Sequence, residues 1–157
     1  MESYMDEFLK ISQGLLTPVI AAIALYIAYQ QWKTNDNKLK WDKYEKGIEI
    51  YKEIVNFISI GINETNYKND ELMSFKPKVS EADFLFGEEI PKYIDELQKR
   101  AVKLSYWNKK YRDYTQPKLE NYDHEKIEEE MHKELVWISS QLEPARNLFK
   151  KYLDVSR

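Results

Sequence analysis

The stretch Ile11-Ser-Gln-Gly-Leu-Leu-Thr-Pro-Val-Ile-Ala-Ala-Ile-Ala-Leu-Tyr-Ile-Ala-Tyr-Gln-Gln-Trp32 carries no charge, in a chain of 157 residues that holds 24 Lys and Arg and 27 Asp and Glu. As an α-helix, at about 1.5 Å per residue, it reaches roughly 33 Å, enough for a hydrocarbon layer about 30 Å thick. Tyr26, Tyr29 and Trp32 gather at one end, and Tyr4 and Phe8 precede the other, as amphipathic rings do at headgroup depth. A secretory signal peptide competes for this reading, but it would begin with basic residues, whereas Glu2, Asp6 and Glu7 outnumber Lys10. A buried helix of a water-soluble core is the other competitor, because short apolar runs serve both purposes. The expectation is a transmembrane helix over 11–32, a short extracytoplasmic segment over 1–10 and a cytoplasmic helical bundle over 33–157.

Outward from that run, Lys33, Lys38, Lys40, Lys43 and Lys46 follow it and only Lys10 precedes it. The positive-inside rule then places the N-terminus outside and the larger C-terminal part in the cytoplasm, a single-pass topology. No cysteine occurs, which removes disulfide frameworks, thiol nucleophiles and Cys-based zinc sites and suits a reducing compartment. With a net charge of −3 there is no global pull toward nucleic acid. The mean hydropathy of −0.70 describes the rest of the chain rather than this run. Few glycines and prolines, 4 and 5, argue against a turn-rich β architecture, so the fold class expected is all-α.

On a helical projection Gly14, Thr17, Ala21, Ala24, Ala28, Gln31, Asn35 and Lys38 recur at alternating steps of three and four and form one line of small or polar residues. In lipid, small residues let helix backbones approach, and Thr and Gln find partners across helices. The line therefore reads as the contact face of a homo-oligomer, or as the wet face of a pore. The competing reading is that alanine is simply frequent in spanning helices. Thr17-Pro18 either kinks the helix or starts it, with Thr17 as N-cap.

Beyond the run, Trp41, Tyr44, Ile48, Tyr51, Val55, Ile58 and Ile62 continue a heptad-like line, with Ile50, Ile54 and Phe57 broadening it. Asn63 to Lys78 shows turn residues, a proline and no sustained period and reads as a loop with room for a short turn of helix. Ser80 opens a capping pattern for a short helix ending at Gly87. Ile90, Ile94, Leu97, Ala101 and Leu104 mark a long helix, with Trp107, Tyr111 and Tyr114 widening its face before Pro117. A last helix carries Ile127, Met131, Leu135, Ile138, Leu142, Ala145, Phe149 and Tyr152, bent or divided at Pro144. Short connections make these helices antiparallel neighbours in a bundle.

Candidate chemistry is sparse. His124, Glu128 and His132 share a helical face, but Glu125, Glu129, Glu130 and Glu134 make it an acidic surface, and rings eight residues apart lie roughly 12 Å from one another. The isolated glycines form no phosphate-binding loop. No metal, cofactor or small-molecule substrate is expected. Basic residues are scattered among acids, so no RNA groove is indicated.

Arg146-Asn147, with Tyr152 further along, resembles the Arg-Asn and His motif of helical ribonucleases of the higher-eukaryote and prokaryote nucleotide-binding (HEPN) superfamily, with Tyr in place of His. A tyrosine of ordinary pKa near 10 is a poor general base at neutral pH. Thr17-Pro18, the stretch Tyr29-Gln-Gln-Trp-Lys-Thr-Asn35, then Phe84-Leu-Phe-Gly-Glu-Glu-Ile90 and Phe149-Lys-Lys-Tyr-Leu153, resemble a widespread set of short bacterial membrane proteins with one N-terminal span, over nearly the whole chain. The architecture is also similar to the small membrane accessory of type VI-B CRISPR systems, a spanning helix before a HEPN-like bundle. That second resemblance implies a membrane pore that strengthens antiviral defence. The function expected is thus a non-enzymatic, oligomeric membrane effector. The alternatives are a membrane-anchored adaptor for a cytosolic protein partner and, third, a HEPN-type ribonuclease.

Overall fold

The structure, a computed structural model, describes residues 2–113, 115–117 and 121–153, and the backbone alone for 2–13 and 15. Among the described residues all regular structure is helical: α1 (Glu2–Glu64), α2 (Asn69–Val79), α3 (Ala82–Leu85), α4 (Glu89–Lys110), α5 (His124–Ser139) and α6 (Leu142–Tyr152). The all-α class is as expected. The chain divides into two compact units, Met1–Asp42 and Lys43–Arg157.

The first unit is the N-terminal part of α1. Pro18 lies inside the helix rather than at its start, which settles the alternatives at Thr17-Pro18: lacking an N–H, it leaves the carbonyl of Gly14 without the usual donor four residues on. Among the described residues, no helix is long and apolar enough to cross a membrane. Of the expected span, the side chains of Ile11, Ser12, Gln13 and Leu15 lie outside those described, as do those of Tyr4 and Phe8.

The second unit is a helical bundle. Its antiparallel arrangement follows from the pairs that meet: Tyr93 with Gln141, Arg100 with Glu134 and Tyr111 with His124 run in opposite senses along α4 and α5 and into the turn after α5. The same reversal appears where Glu53 meets Lys78 across α1 and α2, and where Tyr51 meets Phe149 across α1 and α6. The core joins Ile54, Phe57 and Ile58 of α1 to Phe75 and Val79 of α2, Ile94 and Leu97 of α4, Ile138 of α5 and Phe149 of α6.

The core face of α1 centres on the residues expected to broaden the line, together with Ile58 of the line itself. Gly47, Ile50, Ile54, Phe57 and Gly61 are buried at steps of three and four, whereas Tyr44, Ile48, Tyr51 and Val55 are only partly covered and Trp41 is exposed. The two glycines extend that face, because each is a gap filled by another element. A Cβ on Gly47 would lie 2.5 Å from Leu153 Cδ2, and one on Gly61 only 2.3 Å from the Tyr67 hydroxyl oxygen. Tyr67 folds back on α1, stacks on Phe57 and donates its hydroxyl to the Phe57 carbonyl at 2.9 Å. Burial raises the pKa of that hydroxyl well above the ordinary tyrosine value.

Asn63 to Lys78, expected as a loop, contains α2. Its first turn holds Asp70 and Glu71 and its last Lys76 and Lys78, both suited to the helix dipole. The Lys68 N–H donates to Glu71 Oε2 at 2.7 Å, while Phe75 and Val79, four apart, enter the core. Ser80 does not cap the short α3. Its hydroxyl donates back to the Pro77 carbonyl at 2.9 Å, at the C-terminal end of α2. α4 ends at Lys110, before the expected widening residues Tyr111 and Tyr114; Tyr111 adopts an extended conformation and Tyr114 lies outside the described residues. Pro144 divides the last expected helix. It falls in the first turn of α6, where its missing N–H has no intrahelical partner to lose.

Candidate functional site

In the first unit, Gly14, Thr17, Ala21, Ala24, Ala28, Gln31, Asn35 and Lys38 are all helical and all exposed. A line at alternating steps of three and four drifts by about 20° per heptad around a straight helix, so copies packed along it would have to supercoil left-handed. The apolar residues on the other sides are equally bare: Val19, Ile20 and Ile23 are 53%, 59% and 53% exposed, and Leu25 is 73%. The rings at the charged end contact neighbours in the helix, Tyr29 with Trp32 at 6.2 Å between centroids and the Tyr26 hydroxyl with Gln30 Nε2 at 2.9 Å. An uncharged surface of this kind is covered in water by lipid, by copies of itself or by another protein.

Arg146, Asn147 and Tyr152 do not converge. Six residues along a helix of 3.6 per turn leave Tyr152 about a third of a turn away from Arg146. Arg146 and Asn147 are exposed. Tyr152 instead lies edge-on to Phe86 at 5.5 Å and donates its hydroxyl to Glu89 Oε2 at 3.1 Å, where Lys151 Nζ also approaches at 3.6 Å. Its pKa is raised, first by lost solvation and then by the Glu89 hydrogen bond and charge. A phenol held protonated against a carboxylate is further from a general base than a free one. Tyr152 alone of the three thus ties the end of α6 to the start of α4.

The expected acidic face of α5 needs correction. Glu134 is buried, 1% exposed, with Arg100 Nη1 at 3.0 Å from its Oε2 and Lys103 Nζ at 3.7 Å from its Oε1. Arg100 is held from a second side by Glu96 at 2.7 Å and lies 4.9 Å from the Trp137 ring centroid. The Glu96 hydrogen bond, then that of Glu134, raises the arginine's pKa, and the same Arg100 bond lowers that of Glu96. The signal for Glu134 was present in the spacing, because Ile127, Glu134, Ile138, Gln141 and Ala145 share one core line and all are buried. His124 Nε2 lies 3.1 Å from Glu128 and its Nδ1 lies 3.2 Å from the Tyr122 hydroxyl, while His132 faces outward. Among the described residues no group of three or more His, Asp or Glu is placed to hold a metal ion.

No protein-family model, no curated protein and no solved structure matches the chain.

Proposed function

We propose that the chain is a single-pass inner-membrane effector that assembles through its first unit and permeabilises or depolarises the membrane, with its bundle in the cytoplasm. The observation that carries this reading is the bare uncharged surface of α1 at Gly14 and from Leu16 to Trp32, crossed by a line of small and polar residues. A solitary span is most stable when apolar all round, whereas a helix with Thr and Gln at membrane depth calls for protein or a wet cavity beside those residues. A moderate overall hydropathy is then a property of a shared helix. The five lysines after the run and the single one before it support the orientation. A role in antiviral defence rests on the architectural resemblance to the type VI-B CRISPR accessory.

The test is the double variant Ala24→Leu and Ala28→Leu in lipid vesicles. It is expected to change the oligomer's mass and reduce ion leakage; unchanged mass and leakage refute the reading. Exchanging the run for an unrelated span separates an effector from an adaptor that binds a cytosolic protein, since only the adaptor survives the exchange.

A further inference from the structure

A cleft of about 490 Å³ opens in the second unit between the end of α4 and the start of α5, lined by Trp107, Lys110, Arg112, Tyr122 and Lys126 with Lys109 beside them. The volume lies in the range of small-molecule sites, about 300–1,000 Å³. Its walls are tied in place: the Tyr122 hydroxyl accepts from the Arg112 N–H at 2.8 Å, and Asp123 Oδ1 accepts from the Lys126 N–H at 3.1 Å.

The cleft gathers four cations that, like Lys52, Lys133 and Lys150 elsewhere in the unit, have no carboxylate within ion-pair distance among the described residues. Lys46, Lys68, Lys78, Lys92 and Lys103 each lie within ion-pair distance of a carboxylate. Among the described residues, none of Lys109, Lys110, Arg112 and Lys126 does. Lys109 donates to Asn69 Oδ1 at 2.8 Å, and Lys110 lies 4.4 Å from the Tyr106 centroid and 5.5 Å from that of Trp107. The helix dipole accounts for Lys109 and Lys110, which end α4. It does not account for Arg112, beyond that end, and it opposes Lys126, a cation in the first turn of α5. Asp123 is the one acid among the described lining residues, and its oxygen is engaged in capping α5. Cations gathered against an aromatic wall match a ligand with several phosphates and a flat ring.

We propose that this cleft binds a nucleoside polyphosphate, its phosphates against Lys110, Arg112 and Lys126 and its base against Trp107. The site is independent of the membrane reading. The experiment is a titration of the full chain, purified in detergent, with metal-free ATP, read by calorimetry and by tryptophan fluorescence. Saturable binding is expected, weakened about tenfold by Arg112→Ala or Lys126→Ala, the loss of one charge-assisted contact, and unchanged by Lys133→Ala outside the cleft. Inorganic tripolyphosphate should bind more weakly than ATP, and Trp107→Phe should remove the fluorescence response. Circular dichroism and an unchanged urea midpoint verify that each variant folds. No binding at millimolar ATP, equal affinity in the cleft variants, equal affinity for tripolyphosphate, or capture of an RNA oligomer without ATP binding would overturn the proposal.

Discussion

Two stretches of the same helix, α1, are alike in composition and opposite in environment. Ile20, Ile23 and Ile27 are 59%, 53% and 48% exposed, whereas Ile50, Ile54 and Ile58 are 3%, 0% and 0%. The later isoleucines meet α2, α4, α5 and α6. The earlier ones are outside that core. Burying such a side chain is worth about 1.5–3 kcal/mol, so the same residue type stabilises the bundle in one stretch and leaves most of that stabilisation unused in the other. An apolar sequence that its own chain does not cover is evidence about surroundings, and one that it does cover is evidence about folding.

The sharpest test of this contrast is one substitution made twice. Ile54→Ala is expected to destabilise the bundle by about 2–5 kcal/mol, the transfer and cavity terms of a filled core site. Ile20→Ala should leave bundle stability within about 0.5 kcal/mol. Urea unfolding followed by circular dichroism measures both, and equal effects would break the comparison. Arg100→Ala should cost about 3 kcal/mol, because it strands the buried Glu134 carboxylate with only Lys103 at 3.7 Å; Glu134→Gln in the same background should recover part of that loss. Gly61→Ala is expected to cost about 1–3 kcal/mol by overpacking against Tyr67, whereas Gly14→Ala, with nothing within 4 Å, should be tolerated by the bundle.

Acid should act on the second unit through Glu96. Its pKa is lowered in the fold by the Arg100 hydrogen bond, so the stabilisation is fully present above its ordinary value of 4.5 and is lost as pH falls through the lower folded value. Half-exposed as this pair is, salt should weaken the effect. A urea midpoint that does not fall in acid more steeply for the parent than for Glu96→Gln would contradict it. The smallest effect is expected from Tyr152→Phe, which removes the bond to Glu89 and should shift the midpoint only slightly. Should it abolish RNA cleavage by purified protein, the ribonuclease alternative would return in place of the tie between α6 and α4.

Much of the architecture was legible because helices announce themselves locally. The series Ile90, Ile94, Leu97, Ala101 and Leu104 is buried throughout, and Pro144 parts α5 from α6 where the sequence placed a bend or break. α2 was missed because only Phe75 and Val79 are buried in it, too few to show a period, and its capping partner is a glutamate bonding a lysine N–H. At α1 the apolar face is legible through Ile50, Ile54, Phe57 and Ile58, but its depth is not, because Gly47 and Gly61 count as gaps in a sequence and as seats for Leu153 and Tyr67 in the fold. Its charge assigns Glu134 to the surface in the sequence, and the basic residues read there as scattered among acids, because the fold alone brings Lys110 and Lys126 to one cleft.

The amino-acid sequence alone determined the helical class, the uncharged run from Ile11 to Trp32 and the charge asymmetry around it, because periodicity and local charge are properties of neighbours along the chain. Only the tertiary structure decided that Gly47 and Gly61 lie in the core face of α1, that Glu134 is buried beneath Arg100, that Tyr152 is given to Glu89, and that Lys109, Lys110, Arg112 and Lys126 line one cleft. Those outcomes depend on which distant side chains arrive within a few ångströms, and packing rather than spacing selects them.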